Sequence, residues 1–82
     1  MAKILVSEAD PDVRRLLIVL VRRLGHEAVV IDPNVSVPPR GDLLLAEPGT
    51  HAAGLQVIST TKPFTIAQMR SRIERSLAAA PA

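Results

Sequence analysis

The stretch KILVSEADPDVRRLL, residues 3–17, contains the change from strand to helix that decides the fold. Its first part, residues 3–7, is short and mostly apolar, which predicts a buried strand. Asp10 is then placed to cap a helix, and Pro11 suits the first helical position because that N–H has no partner within a helix. Apolar residues then recur at helical spacing and form one stripe, Val13, Leu16, Leu17, Leu20 and Leu24. Gly25 predicts the end of the helix.

The remainder of the chain predicts three more strands and one more helix. The strands are expected at residues 28–31, 42–46 and 55–60, where apolar runs end in polar or proline-containing turns. Thr65 is expected to cap the last helix, from Ile66 to about Ala79. The predicted order is β-α-β-β-β-α.

All four predicted strands are apolar on both faces, a pattern typical of parallel sheets that are covered on both sides. We therefore predict an α/β fold with a four-stranded, mostly parallel sheet, strand order second-first-third-fourth, and two helices on one face. One domain is expected at residues 1–79, with a disordered tail at 80–82. The connection at residues 48–54 is short for a parallel return. An antiparallel fourth strand, or a fourth strand and last helix swapped with a second chain, are the alternatives.

Composition excludes several classes of protein. The chain has 82 residues, 48% of them hydrophobic, a net charge of +2 and no cysteine. Disulfides and thiolate metal sites are therefore excluded. No signal peptide is recognisable, and the longest apolar run, Leu16 to Val21, is far shorter than a membrane span requires. A cytoplasmic location, no membrane contact and no cofactor are expected.

Residues 3–17, followed by RRLGHEAVV at 22–30, closely resemble the first strand, first helix and second strand of response-regulator receiver domains. DLLLAEP at 42–48 resembles the strand that ends in the phosphorylated aspartate, and TKPF at 61–64 resembles the last loop of that family. The resemblance covers about two thirds of the chain, in the family's order. It implies a shortened flavodoxin-like, receiver-like fold and a role in two-component signal transduction.

The departures from the receiver pattern concern its phosphorylation site. The resemblance implies that Glu47 stands at the phosphoacceptor position, and that Glu8 and Asp10 remain from an acidic pocket in which Ala9 replaces a magnesium ligand. Lys62 and Pro63 correspond to the family's lysine loop. Three helices and one strand of a full receiver have no counterpart here. The expectation is a protein that is not an enzyme, has no catalytic residue and no metal, and works without phosphorylation.

Such a module would act through self-association or by docking to another signalling protein. Two helices cannot cover both sheet faces, so a single chain is expected to expose a large apolar patch that a homodimer would bury. The candidate interface residues are Val30, Leu44, Ile18 and Val19.

Two other functions fit parts of the sequence. The first is a phosphoaccepting response regulator. The second is a small nucleic-acid-binding protein, with a basic face formed by the arginines of both helices, Arg14, Arg15, Arg22, Arg23, Arg70, Arg72 and Arg75. That face lacks aromatic stacking groups, so a solvated surface is the preferred interpretation. His26 and His51 are single histidines without a second ligand at metal spacing.

Overall fold

A computed structural model describes residues 2–32, 40–47, 55–60 and 63–79. The elements are β1 (Lys3–Ser7), α1 (Pro11–Arg23), β2 (Glu27–Val30), β3 (Leu43–Ala46), β4 (Val57–Ser59) and α2 (Ile66–Ala79). The predictions for Lys62, His51, the connection at 48–54 and the tail at 80–82 concern residues outside this description.

The strands form one parallel sheet in the order β2-β1-β3-β4. This confirms the predicted α/β fold and strand order, and the sheet is parallel throughout. The alternative of an antiparallel fourth strand is wrong, because β4 pairs in parallel with β3. Exchange of β4 and α2 with a second chain stays an alternative that a single chain does not test. The predicted boundaries of β2 and β3 differ from the observed ones by one residue, and β4 is shorter than predicted.

Helix α1 has the predicted caps. Asp10 Oδ1 accepts hydrogen bonds from the backbone N–H groups of Asp12 and Val13, at 2.9 and 3.4 Å. At the other end, Gly25 N–H donates to the Arg22 carbonyl and His26 N–H to the Val21 carbonyl, at 3.0 and 3.2 Å. These two bonds form a Schellman motif, which requires a left-handed residue after the cap, and Gly25 supplies it with φ 86°.

Helix α2 begins with a capping box, as Thr65 predicts. Gln68 N–H donates to Thr65 Oγ1, and Thr65 N–H donates to Gln68 Oε1, each at 3.0 Å. Two N–H groups at the start of the helix are thereby satisfied reciprocally. Phe64, just before the cap, packs against the core cluster that contains Met69, which fixes the direction in which the chain enters the helix.

Both helices pack on the same face of the sheet, as predicted. Five strand residues and five helix residues form the buried cluster there: Ile4, Val6, Leu43, Leu45, Ile58, Leu17, Leu20, Val21, Met69 and Ile73. The predicted stripe of α1 needs one correction. Leu16 is 42% exposed, whereas Val21, which lies closer to the centre of the packed side, is fully buried.

The opposite face of the sheet is also buried. Leu5, Leu44 and Ala46 form its buried cluster, with Val29, Ile31, Leu55 and Val57 packed around them. Leu44 is only 2% exposed in the single chain. The prediction that one chain leaves this face open is therefore wrong, and Leu44 is not available as an interface residue. The apolar strand pattern showed that the face needs a cover, but it did not show that one chain provides it.

Candidate functional site

The carboxyl ends of β1, β3 and β4 meet at one edge of the sheet. Ser7 pairs with Ala46, and Ala46 pairs with Ser59. The residues that follow these three, Glu8, Glu47 and Thr60, therefore occupy neighbouring positions at this edge. Parallel strands bring such residues together because all their carboxyl ends point the same way. Lys62, which corresponds to the lysine loop of the receiver family, lies outside the described residues.

Glu8 is held inside the protein, whereas Asp10 is part of a helix cap. Glu8 is only 1% exposed, and its Oε2 accepts a long hydrogen bond of 3.4 Å from the Asp10 backbone N–H. The Glu8 carbonyl accepts from Arg14 Nη1 at 3.3 Å. Asp10 itself is exposed and its carboxylate caps α1. The two acidic residues of the expected pocket therefore serve different purposes, and the side chain between them is the exposed Ala9.

Thr60 is a buried polar residue at this edge that sequence reasoning did not single out. Its Oγ1 donates to the Ala46 carbonyl at 3.1 Å, and its backbone N–H donates to the same oxygen at 2.8 Å. The Thr60 hydroxyl thus helps to satisfy the last carbonyl of β3, directly before Glu47. The sequence did contain a signal for this role, because Thr60 is a polar residue at the end of an apolar strand.

Glu47 is exposed, in contrast to Glu8. A divalent cation of the magnesium type needs several oxygen ligands in one place. Among residues 2–32, 40–47, 55–60 and 63–79, no three His, Asp or Glu side chains are grouped so that they could hold a metal ion. What this edge offers is one buried carboxylate, one exposed carboxylate and one buried hydroxyl.

The arginines do not form one continuous basic face. Arg14 and Arg72 are half-buried, and each donates to a backbone carbonyl, Arg14 to Glu8 and Arg72 to Ser59. Arg70 Nε lies 3.6 Å from Glu74 Oε1, one turn further along α2. The exposed arginines of the two helices outside these contacts are Arg15, Arg22, Arg23 and Arg75. The expected shared face is therefore smaller than predicted, because three of its seven members have partners within the chain.

Three of the four candidate interface residues remain accessible in the single chain. Val30 is 49% exposed, Val19 is exposed and Ile18 is half-buried. Val19 belongs to a small apolar cleft of about 240 Å³, lined also by Leu16, Leu20, Arg23 and Ile66. This cleft lies between α1 and the start of α2.

His26 has a structural role that the sequence did not reveal. Its Nδ1 accepts a hydrogen bond of 3.0 Å from the Ala2 backbone N–H, and the Ala2 carbonyl accepts from the Glu27 N–H at 2.9 Å. His26 therefore ties the start of β2 to the residue that precedes β1. This hydrogen bond explains why a histidine stands after α1, and the explanation requires no bound ligand.

Comparisons with models of known protein families, with curated proteins and with solved structures found no match to this chain. Neither described helix is long and apolar enough to cross a membrane.

Proposed function

We propose that the protein is a phosphorylation-independent, receiver-like module of two-component signal transduction that docks to a signalling partner in the cytoplasm. The resemblance of its sequence to receiver domains and its receiver-like strand order support this assignment. The proposed loss of phosphorylation rests on the residues found at the carboxyl edge of the sheet. Glu8 is buried there and Asp10 caps a helix, while Ala9 brings no oxygen ligand.

Phosphoryl transfer to a carboxylate depends on a cation and on exact placement. A magnesium ion would stabilise the charge that develops on the transferred group, and it needs a set of oxygen ligands. Glu47 carries its carboxylate one methylene further from the backbone than an aspartate would. Displacements of about 1 Å cost such reactions large factors in rate. The phosphoaccepting alternative is therefore the weaker one.

Self-association is part of the proposal, through a surface that keeps the expected Val19 but not Leu44. Because Leu44 is buried, a homodimer would use the exposed apolar residues Leu16, Val19 and Ile66 around the α1–α2 cleft. Nucleic-acid binding receives less support, since Arg14, Arg70 and Arg72 already have partners within the chain.

Acetyl phosphate with magnesium, followed by intact-mass measurement, tests the central part of this proposal. The native chain is expected to gain no phosphoryl group. The matched variant combines Ala9→Asp with Glu47→Asp, which restores the acidic residues that the resemblance implies. Both substitutions are at exposed positions, so the fold is expected to tolerate them.

The two proteins together separate the parts of the proposal. Phosphate on the double variant alone would support both the receiver ancestry and its lost chemistry. Stoichiometric phosphorylation of the native chain would overturn phosphorylation independence. An inert double variant that remains folded would argue against the receiver-like assignment of Glu47.

A further inference from the structure

Strand β4 forms one edge of the sheet, and its outer side carries backbone groups directed away from β3. Leu44 N–H donates to the Gln56 carbonyl, and Thr60 N–H donates to the Ala46 carbonyl, at 2.9 and 2.8 Å. The even-numbered residues of this segment thus bond to β3. Because backbone groups alternate along a strand, the N–H and C=O of Val57 face outward. Such an edge is a template for another strand.

A groove lies between this edge and α2. One cleft of about 310 Å³ is lined by Gln56, Val57, Ile58, Arg72, Arg75 and Ser76. A second cleft, of about 600 Å³, extends along α2 towards Phe64 and shares Arg72 and Arg75 with the first. We call these two adjoining clefts the β4–α2 groove.

The charge of the β4–α2 groove is entirely positive. Arg72 and Arg75 both line it, and none of the described residues that line either cleft is acidic. Arg72 Nη1 donates to the Ser59 carbonyl at 3.0 Å, which holds its guanidinium beside the strand edge. Arg75 is exposed, and no carboxylate of the described residues lies within ion-pair distance of it. On the other side of α2, by contrast, Arg70 has Glu74.

We infer that the β4–α2 groove receives an extended, acidic segment of a partner protein, which adds to the sheet as a fifth strand beside β4. The inference rests on the proposed function as a docking module and names the chemistry of the partner. Backbone hydrogen bonds to the edge supply affinity, and alternate side chains of the added strand point towards the arginines and supply specificity. Carboxylates at these alternate positions match the charge of the groove.

A second copy of this chain fits the groove poorly. If two β4 edges paired around a twofold axis, Arg72 and Arg75 of both chains would meet at one junction. Like charges brought together in this way oppose association. The charge of the groove therefore selects a partner that is acidic, and the chain itself has a net charge of +2.

A capped octapeptide of alternating threonine and glutamate, labelled with a fluorophore, is the probe. Its binding to the full chain is measured by fluorescence anisotropy at low salt, beside the threonine–lysine peptide and a single-stranded oligonucleotide of the same charge. Two further acidic peptides carry backbone N-methyl groups, each along one edge only. The acidic peptide is expected to bind and the lysine peptide is not, and N-methylation of the paired edge alone is expected to abolish binding.

Two protein variants locate the site. Arg75→Glu is expected to weaken acidic-peptide binding by about fivefold to tenfold, as loss and reversal of one exposed charge contact imply. Arg22→Glu makes the same charge change at an exposed position of α1 and is expected to leave binding unchanged.

Three results would overturn the inference: no binding of the acidic peptide, undiminished binding of both N-methylated peptides, or an oligonucleotide that binds as tightly as the peptide. The phosphorylation experiment has a separate readout. Failure of peptide binding therefore leaves phosphorylation independence standing, and phosphorylation of the native chain leaves the groove to be judged by the peptides.

Discussion

The two faces of the sheet are equally apolar in sequence but are covered in different ways. On one face, α1 and α2 contribute half of the ten residues of the buried cluster. On the other, the buried cluster consists of Leu5, Leu44 and Ala46, all from strands. An apolar strand pattern therefore predicts that a face is covered, but not whether a helix, another part of the same chain or a second chain covers it.

The largest effect is expected from a charge placed on the sheet face that contains Leu5, Leu44 and Ala46. Leu44→Glu would bury an unpaired carboxylate, which costs several kcal/mol, so we expect the variant to be unfolded. Val30→Glu adds the same charge at a position that is 49% exposed, and we expect a loss of about 1 kcal/mol or less. Circular dichroism and thermal unfolding measure both. If the two variants unfolded at similar temperatures, Leu44 would not be buried as described.

A smaller effect is expected where Gly41 approaches the same face. A Cβ added at Gly41 would lie 2.8 Å from Leu5 Cγ, too close for an undisturbed contact. Gly41→Ala should therefore lower the free energy of unfolding by about 1–3 kcal/mol, the usual cost of overpacking. Urea denaturation measures this quantity.

Gly25→Ala is the comparison variant for Gly41→Ala. No atom lies within 4 Å of a Cβ at Gly25, but φ is +86° there, so only backbone strain of about 1–2 kcal/mol is expected. If Gly41→Ala left the free energy of unfolding unchanged, Leu5 would not be packed against Gly41 as described.

The strands and helices were predictable because their local signals agree with one another. Asp10, Pro11 and Gly25 mark the two ends of α1, and Thr65 marks the start of α2, where each side chain or backbone angle meets a specific requirement. The direction of β4 was less predictable, because the connection before it is short for a parallel return. It depends on pairing with β3, a contact between residues far apart in the sequence.

The candidate site was less predictable because it depends on contacts between distant residues. Register places Glu8, Glu47 and Thr60 side by side, but the sequence alone does not show that Thr60 bonds to the end of β3. Arg14 and Arg72 appeared to belong to a solvated basic face. Each instead donates a hydrogen bond to a backbone carbonyl, and such a contact leaves no pattern in the sequence.

Because one chain buries both sheet faces, we expect folding to be independent of association. A protein that folds only as a dimer becomes more stable as its concentration rises, by mass action. Thermal unfolding over an about hundredfold range of concentration tests the claim most directly. We predict a constant Tm, with any self-association through the α1–α2 cleft leaving folding unaffected. A Tm that rises steadily with concentration would show that folding is coupled to association, and it would place the sheet face that contains Leu44 at the interface.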